Sequence, residues 1–135
     1  MALDLVTGDL RHALPTAGFE PHRPALFTVE GLLSYLRQED TERLLTQLRE
    51  LAAPESRLAL AVPLVRSMAG GVAHLRVRLR DAALAAIGEP HLHRFSPEQV
   101  AGVLTNGGWA IVTEAGAPLR FEGSRGVLLL AAPSP

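Results

Sequence analysis

Glu30 is the side chain whose type and place most readily suggest chemistry. It follows an apolar run, residues 25–29, of strand length, and open α/β sheets hold their ligands at the carboxyl ends of their parallel strands. The plain alternative is a solvated strand-end carboxylate, or an ion-pair partner for Arg23 or Arg37. Asp9, next to Gly8, reads as a turn or helix-cap aspartate. His91 and His93 could face one way on an extended segment, a known metal geometry, but no third or fourth ligand accompanies them and no metal site is expected. Arg76, Arg78 and Arg80 could meet a phosphate, yet without interleaved aromatics a solvated helix face near Asp81 and Glu89 is the better reading. Ser34 has no Gly-x-Ser-x-Gly around it and is no nucleophile elbow. Gly123, Ser124, Arg125 and Gly126 form a turn into a strand, not a phosphate loop.

Composition removes whole classes of chemistry. The 135 residues contain no cysteine, which excludes disulfides, thiolate metal sites and a cysteine nucleophile. All 13 basic residues are arginine, so no P-loop lysine and no lysine Schiff base is available. Against 14 acidic residues they leave a net charge of -1, and neither nucleic acid nor an anionic membrane surface is an expected partner. No apolar run approaches the ~18 residues of a spanning helix, and the first ten residues lack the basic start of a signal peptide. A cytoplasmic protein is expected.

The elements that must position these side chains alternate in type. Residues 25–29, 57–62, 109–113 and 126–131 are short and mostly apolar, as strands covered on both faces are. Leu44, Leu45, Leu48 and Leu51 form one stripe of a helix whose other faces carry Arg37, Glu39, Glu42, Arg43, Arg49 and Glu50, and Pro54 marks its end. Residues 72–87 alternate like a strand at first but recur at helical spacing over their full length, which favours a helix between Gly70-Gly71 and Gly88. Ser96, Pro97 and Gln99 have the spacing of a capping box with proline in the first turn, so a helix should run to about Thr105 and stop at Asn106-Gly107-Gly108. The last two strands, joined by residues 116–125, read as an antiparallel pair. The pattern is that of one domain, 1–135, with an open, mostly parallel α/β sheet, helices on both faces and a frayed tail at 132–135.

The stretches Asp9-Leu10, 17–24 (AGFEPHRP), 29–36 (VEGLLSYL), Leu44-Leu45 and 52–57 (AAPESR) resemble, in order and at similar intervals, the leucine carboxyl methyltransferase-like family of S-adenosylmethionine-dependent methyltransferases. The likeness is to the branch common in actinobacteria, and it is dense from Asp9 to Val62. It implies a class I methyltransferase (Rossmann-like) sheet, of strand order 3-2-1-4-5-7-6, of which this chain supplies the C-terminal half. Residues 3–10 would then be strand 3, 25–30 strand 4, 57–62 strand 5, and the last pair strands 6 and 7. Strands 1 and 2, with the glycine-rich cofactor turn, would be missing.

The same resemblance implies the site. Asp9 and Leu10 would meet the adenine end of the cofactor, Glu30 would lie beside its methionyl part, where a carboxylate suits sulfonium and ammonium charges, and Tyr35 would line the cleft. Tyr35 beside Leu32, Leu33 and Leu36 reads equally well as a core ring with a wet hydroxyl. Ser34 stands where the family block more often has methionine. No catalytic residue is named, because methyl transfer to a carboxylate or hydroxyl oxygen of some acceptor asks mainly for positioning. The expectation is a chain that binds S-adenosylmethionine weakly or not at all alone, with residues 1–24 displaced and the edge at 25–30 bare. An N-terminal half in trans, or a second copy, would complete it. The alternative is a non-catalytic interaction module that pairs through that edge.

Overall fold

The computed structural model describes residues 2–62, 95–118, 120–123 and 126–135. Its first helix, α1 (Leu10–Thr16), begins where the Asp9 side chain accepts from the Arg11 N–H. Strand β1 (Leu26–Val29) follows, then a single 3-10 turn (Leu33–Tyr35) and α2 (Gln38–Leu51). Strand β2 (Arg57–Val62) leads out of the described region, which resumes at Phe95 and α3 (Pro97–Asn106). The remainder is β3 (Trp109–Ile111), β4 (Thr113–Glu114), β5 (Ala117–Pro118), β6 (Arg120–Gly123) and β7 (Gly126–Pro133).

The sheet runs β1-β2-β7-β3, with β6 also on β7. β1 and β2 are parallel, pairing Phe27 with Leu58 and Val29 with Leu60; β7 is antiparallel to β2, β3 and β6. The open sheet and its 4-5-7-6 order are what the resemblance implied; the pattern suggested a mostly parallel sheet, whereas among the described strands of this sheet one pairing is parallel and three, all made by β7, are antiparallel. Side chains alternate across it, so Phe27, Val29, Leu58, Leu60, Val62, Val127, Leu129 and Ala131 share one face and are buried there. On that face they join Leu44, Leu45 and Leu48 of α2 and Val100, Val103 and Leu104 of α3 in one core. Trp109 is the largest side chain in it, packed edge-on to Phe27 with ring centroids 6.2 Å apart. Its indole N–H donates to Leu45 O at 2.9 Å, so the ring is satisfied although sealed from water.

Local chemistry explains the boundaries. Ser96 and Gln99 make both bonds of the capping box, with Pro97 in the first turn of α3. The stop at Gly107-Gly108 is steric: a Cβ on Gly107 would stand 2.6 Å from Leu45 Cβ, and Gly108 has φ +82. The 52–57 stretch is a turn, exposed at Pro54 and Glu55, organised by the buried Ser56, whose hydroxyl accepts from Ala53 N–H at 3.0 Å and Ala25 N–H at 3.2 Å. That one side chain therefore aligns the starts of β1 and β2.

Three expectations are corrected. Residues 3–10 form no strand: Gly8 N–H donates to Asp4 O at 2.6 Å and Val6 N–H to the Asp4 carboxylate at 2.8 Å, which closes a turn, and Leu10 opens a helix that packs on α2. The tail does not fray from 132. Ala132 pairs with Ala110 and Pro133 with Trp109, and Ser134 bonds Gly108 O through its N–H and Arg49 Nη2 through its carbonyl. The last antiparallel pair is also more broken than the sequence suggests. β3 and β6 both pair with β7, and between them β4 and β5 form a small ladder turned at Ala115 and Gly116, both at positive φ. The helix expected over 72–87, the arginines 76, 78 and 80, and His91 and His93 lie outside the described residues.

Candidate functional site

Glu30 directly follows β1, at the carboxyl end of the parallel pair, and is exposed. Gly31 turns the chain sharply with φ +63, so the strand ends at the carboxylate instead of carrying it on along the edge. Neither arginine named as an alternative partner reaches it. Arg23 Nη1 pairs with Glu20 at 2.7 Å, and Arg37 stands 4.0 Å from Glu39. Among the described residues the Glu30 carboxylate has no hydrogen-bond or ion-pair partner and is open to a cation from solution.

Tyr35 ends the 3-10 turn five residues later and is 40% exposed, while Leu33, Ser34 and Leu36 around it are buried. The apolar block thus fills the core and the ring stays at the surface, against the core-ring reading.

Asp9 and Leu10 lie at the start of α1 and are tied to α2. Asp9 is a cap: Oδ1 accepts from Arg11 N–H at 2.9 Å and from Arg11 Nε at 2.8 Å, and Oδ2 from Arg11 Nη2 at 2.8 Å. The guanidinium hydrogen bonds, first among several causes, hold this carboxyl below the ordinary range; they and Glu50, whose Oε2 accepts from Arg11 Nη1 at 3.1 Å, raise that of Arg11. A carboxylate can accept about four hydrogen bonds. Asp9 uses three among the described residues, and its side chain is 47% exposed, so one position on Oδ2 is open. Leu10 offers less. Its side chain is 7% exposed and belongs to the core, and its N–H donates to Gln47 Oε1 at 2.9 Å, so neither face is open.

Gln47 and Arg49 make tertiary hydrogen bonds that the sequence did not announce. Gln47 falls on the stripe of Leu44, Leu48 and Leu51, where a lone polar side chain among leucines is the signal that could have found it. Arg49 is half-buried and donates to Gly108 O at 3.1 Å and Ser134 O at 3.0 Å, locking the end of the chain to α2. Among the described residues no cluster of metal-binding side chains occurs, and no helix is long and apolar enough to cross a membrane.

Residues 1–49 match the leucine carboxyl methyltransferase family. A protein of Mycobacterium tuberculosis (strain ATCC 25618 / H37Rv), assigned by name only to the S-adenosyl-L-methionine-dependent methyltransferases, is 38% identical over 125 residues, covering 84% of this chain and 36% of its own. A Frankia alni protein assigned in the same way is 52% identical over 58 residues, 43% of this chain and 19% of its own. This chain thus spans about a third or less of the curated relatives it matches. Among solved structures, OxaC in complex with SAH and oxaline superposes with a TM-score of 0.65 at 14% identity, over 99% of this chain and 30% of that one. At that identity the likeness concerns the fold.

Proposed function

Since the chain belongs to the leucine carboxyl methyltransferase family, we propose that it forms part of an S-adenosylmethionine-dependent methyltransferase. When bound, that cofactor supplies an electrophilic methyl group on a sulfonium. The residues present fit it in part. Glu30 would face its positive charges and Asp9 Oδ2 would accept from its exocyclic amine, while Tyr35 would border the cleft. Leu10 would support the site from within the core, since its amide is engaged by Gln47. The methyl acceptor would be a carboxylate or hydroxyl oxygen, and the chain's task would be to position it and exclude water.

The observation that carries this reading is Glu30: exposed, without a partner among the described residues, and set by Gly31 at the carboxyl end of the parallel pair. Calorimetric titration with S-adenosylmethionine tests it. Saturable heat that Glu30→Ala removes supports the reading. No heat at millimolar ligand, alone or with a family N-terminal half added in trans, refutes it.

A second reading is favoured by the β1 edge. Arg57 N–H donates to Ala25 O, so in a parallel ladder residues 25, 27 and 29 face β2 and the backbone groups of Leu26 and Thr28 face outward. Leu26 is 63% exposed beside them. Such an edge would pair with another chain, and a stable dimer indifferent to cofactor would support an interaction module instead.

A further inference from the structure

Arg43, Gln47 and Glu50 recur at i, i+4 and i+7 on α2 and so lie on one face of it. Each grips the segment that carries Asp9. Arg43 Nη2 donates to Leu5 O at 3.1 Å, Gln47 Oε1 accepts from Leu10 N–H at 2.9 Å, and Glu50 Oε2 accepts from Arg11 Nη1 at 3.1 Å. The outer two are exposed and compete with water, whereas Gln47 is buried, at 8% exposure. A helix begins with N–H groups that have no intrahelical acceptor. In α1, Asp9 serves its own helix, taking Arg11 N–H on its side chain and His12 and Ala13 N–H on its carbonyl. The Leu10 N–H is the one served from another element, by Gln47.

We propose that Gln47 is a positioning residue of the candidate cofactor site: by holding the Leu10 amide it fixes where the Asp9 carboxylate stands and so keeps one Oδ2 acceptor position free for a ligand amine. Glu50 braces the same arrangement from the far side of Arg11. The inference rests on the reading of Asp9 as a cofactor residue. The charged and titratable groups facing Asp9 are Arg11 and His12 on its own helix and, through Arg11, Glu50 on α2.

The test follows the Asp9 carboxyl by NMR through a pH titration, and S-adenosylhomocysteine affinity by calorimetry, in the full chain carrying Gln47→Met or Gln47→Glu. Methionine keeps the length without a strong acceptor; glutamate keeps an acceptor oxygen whether ionised or protonated. In the methionine variant the Asp9 titration should move up toward the ordinary range and the dissociation constant should rise about tenfold, the size of one lost buried hydrogen bond. Gln47→Glu should restore both. A purely structural role would lower the melting temperature and leave the Asp9 titration in place, so a folded Gln47→Met with wild-type titration and affinity overturns the proposal. If that variant fails to fold, seen as a red shift of Trp109 emission, Gln47→Asn, too short to span the gap, carries the same comparison. If the wild-type chain binds no S-adenosylhomocysteine, alone or with a family N-terminal half added in trans, the cofactor reading of Asp9 falls, and the Asp9 titration alone decides the role of Gln47.

Discussion

At the scale of single residues, Glu30 and Asp9 differ in what the fold asks of them. Glu30 has no partner among the described residues, so Glu30→Ala should change stability by no more than about 0.5 kcal/mol, as surface substitutions usually do. Its loss should appear in cofactor binding, with the two effects separated by thermal melts and calorimetry on one sample. Asp9 holds a helix start and an arginine as well. Its folded-state carboxyl titrates below the unfolded one because Arg11 donates to it. Its contribution to stability is therefore complete above the unfolded value and is lost as pH falls through the lower, folded value. The melting-temperature difference between the wild type and Asp9→Asn should be constant near neutrality, begin to shrink below about pH 4, and vanish only as the pH falls through the lower, folded value. A difference that persisted unchanged into acid would show that the carboxylate charge contributes nothing to α1.

At the scale of elements, the chain places its side chains through a few buried contacts between segments distant in sequence. Ser56 is the plainest, because its hydroxyl serves two N–H groups at the start of the parallel pair and is itself fully buried. Ser56→Ala leaves both donors without that acceptor and should cost about 1–3 kcal/mol in denaturant unfolding. Because Glu30 directly follows β1, looser alignment should also weaken any binding there. The α2–α3 contact depends on the absence of a side chain. Gly107→Ala would drive a methyl into Leu45 Cβ, and overpacking of this kind costs typically about 1–3 kcal/mol. Unfolding by urea with Trp109 fluorescence checks both variants, since that indole bonds the Leu45 carbonyl.

At the scale of the whole molecule, the sheet ends at β1 among the described residues, and the outward backbone groups of Leu26 and Thr28 define its edge. Thr28→Pro removes an N–H that points away from β2, so it should spare the internal ladder and prevent strand addition. If the wild-type chain is a dimer by light scattering, this variant should be monomeric with its melting transition retained. A dimer that survives it must use another surface. The edge matters equally to the methyltransferase reading, because any added segment that completes the site would meet the sheet there.

What could be read from the sequence was whatever the chain enforces over short range. The strand at 57–62, the Ser96 capping box, the leucine stripe of α2 and the stop at Gly107-Gly108 all follow from periodicity, propensity and cap chemistry within a dozen residues. The motif resemblance added the family and, through it, the 4-5-7-6 order of the strands. Only the tertiary structure decided that residues 3–10 turn into a helix and not a strand, that Gln47 and Ser56 are buried acceptors for distant amides, and that Arg49 fastens the end of the chain. These outcomes depend on which polar groups lose water when segments 31 to 85 residues apart come together, and each buried donor must then find an acceptor on another element. A glutamine or a serine looks the same in sequence whether it faces solvent or closes such a gap.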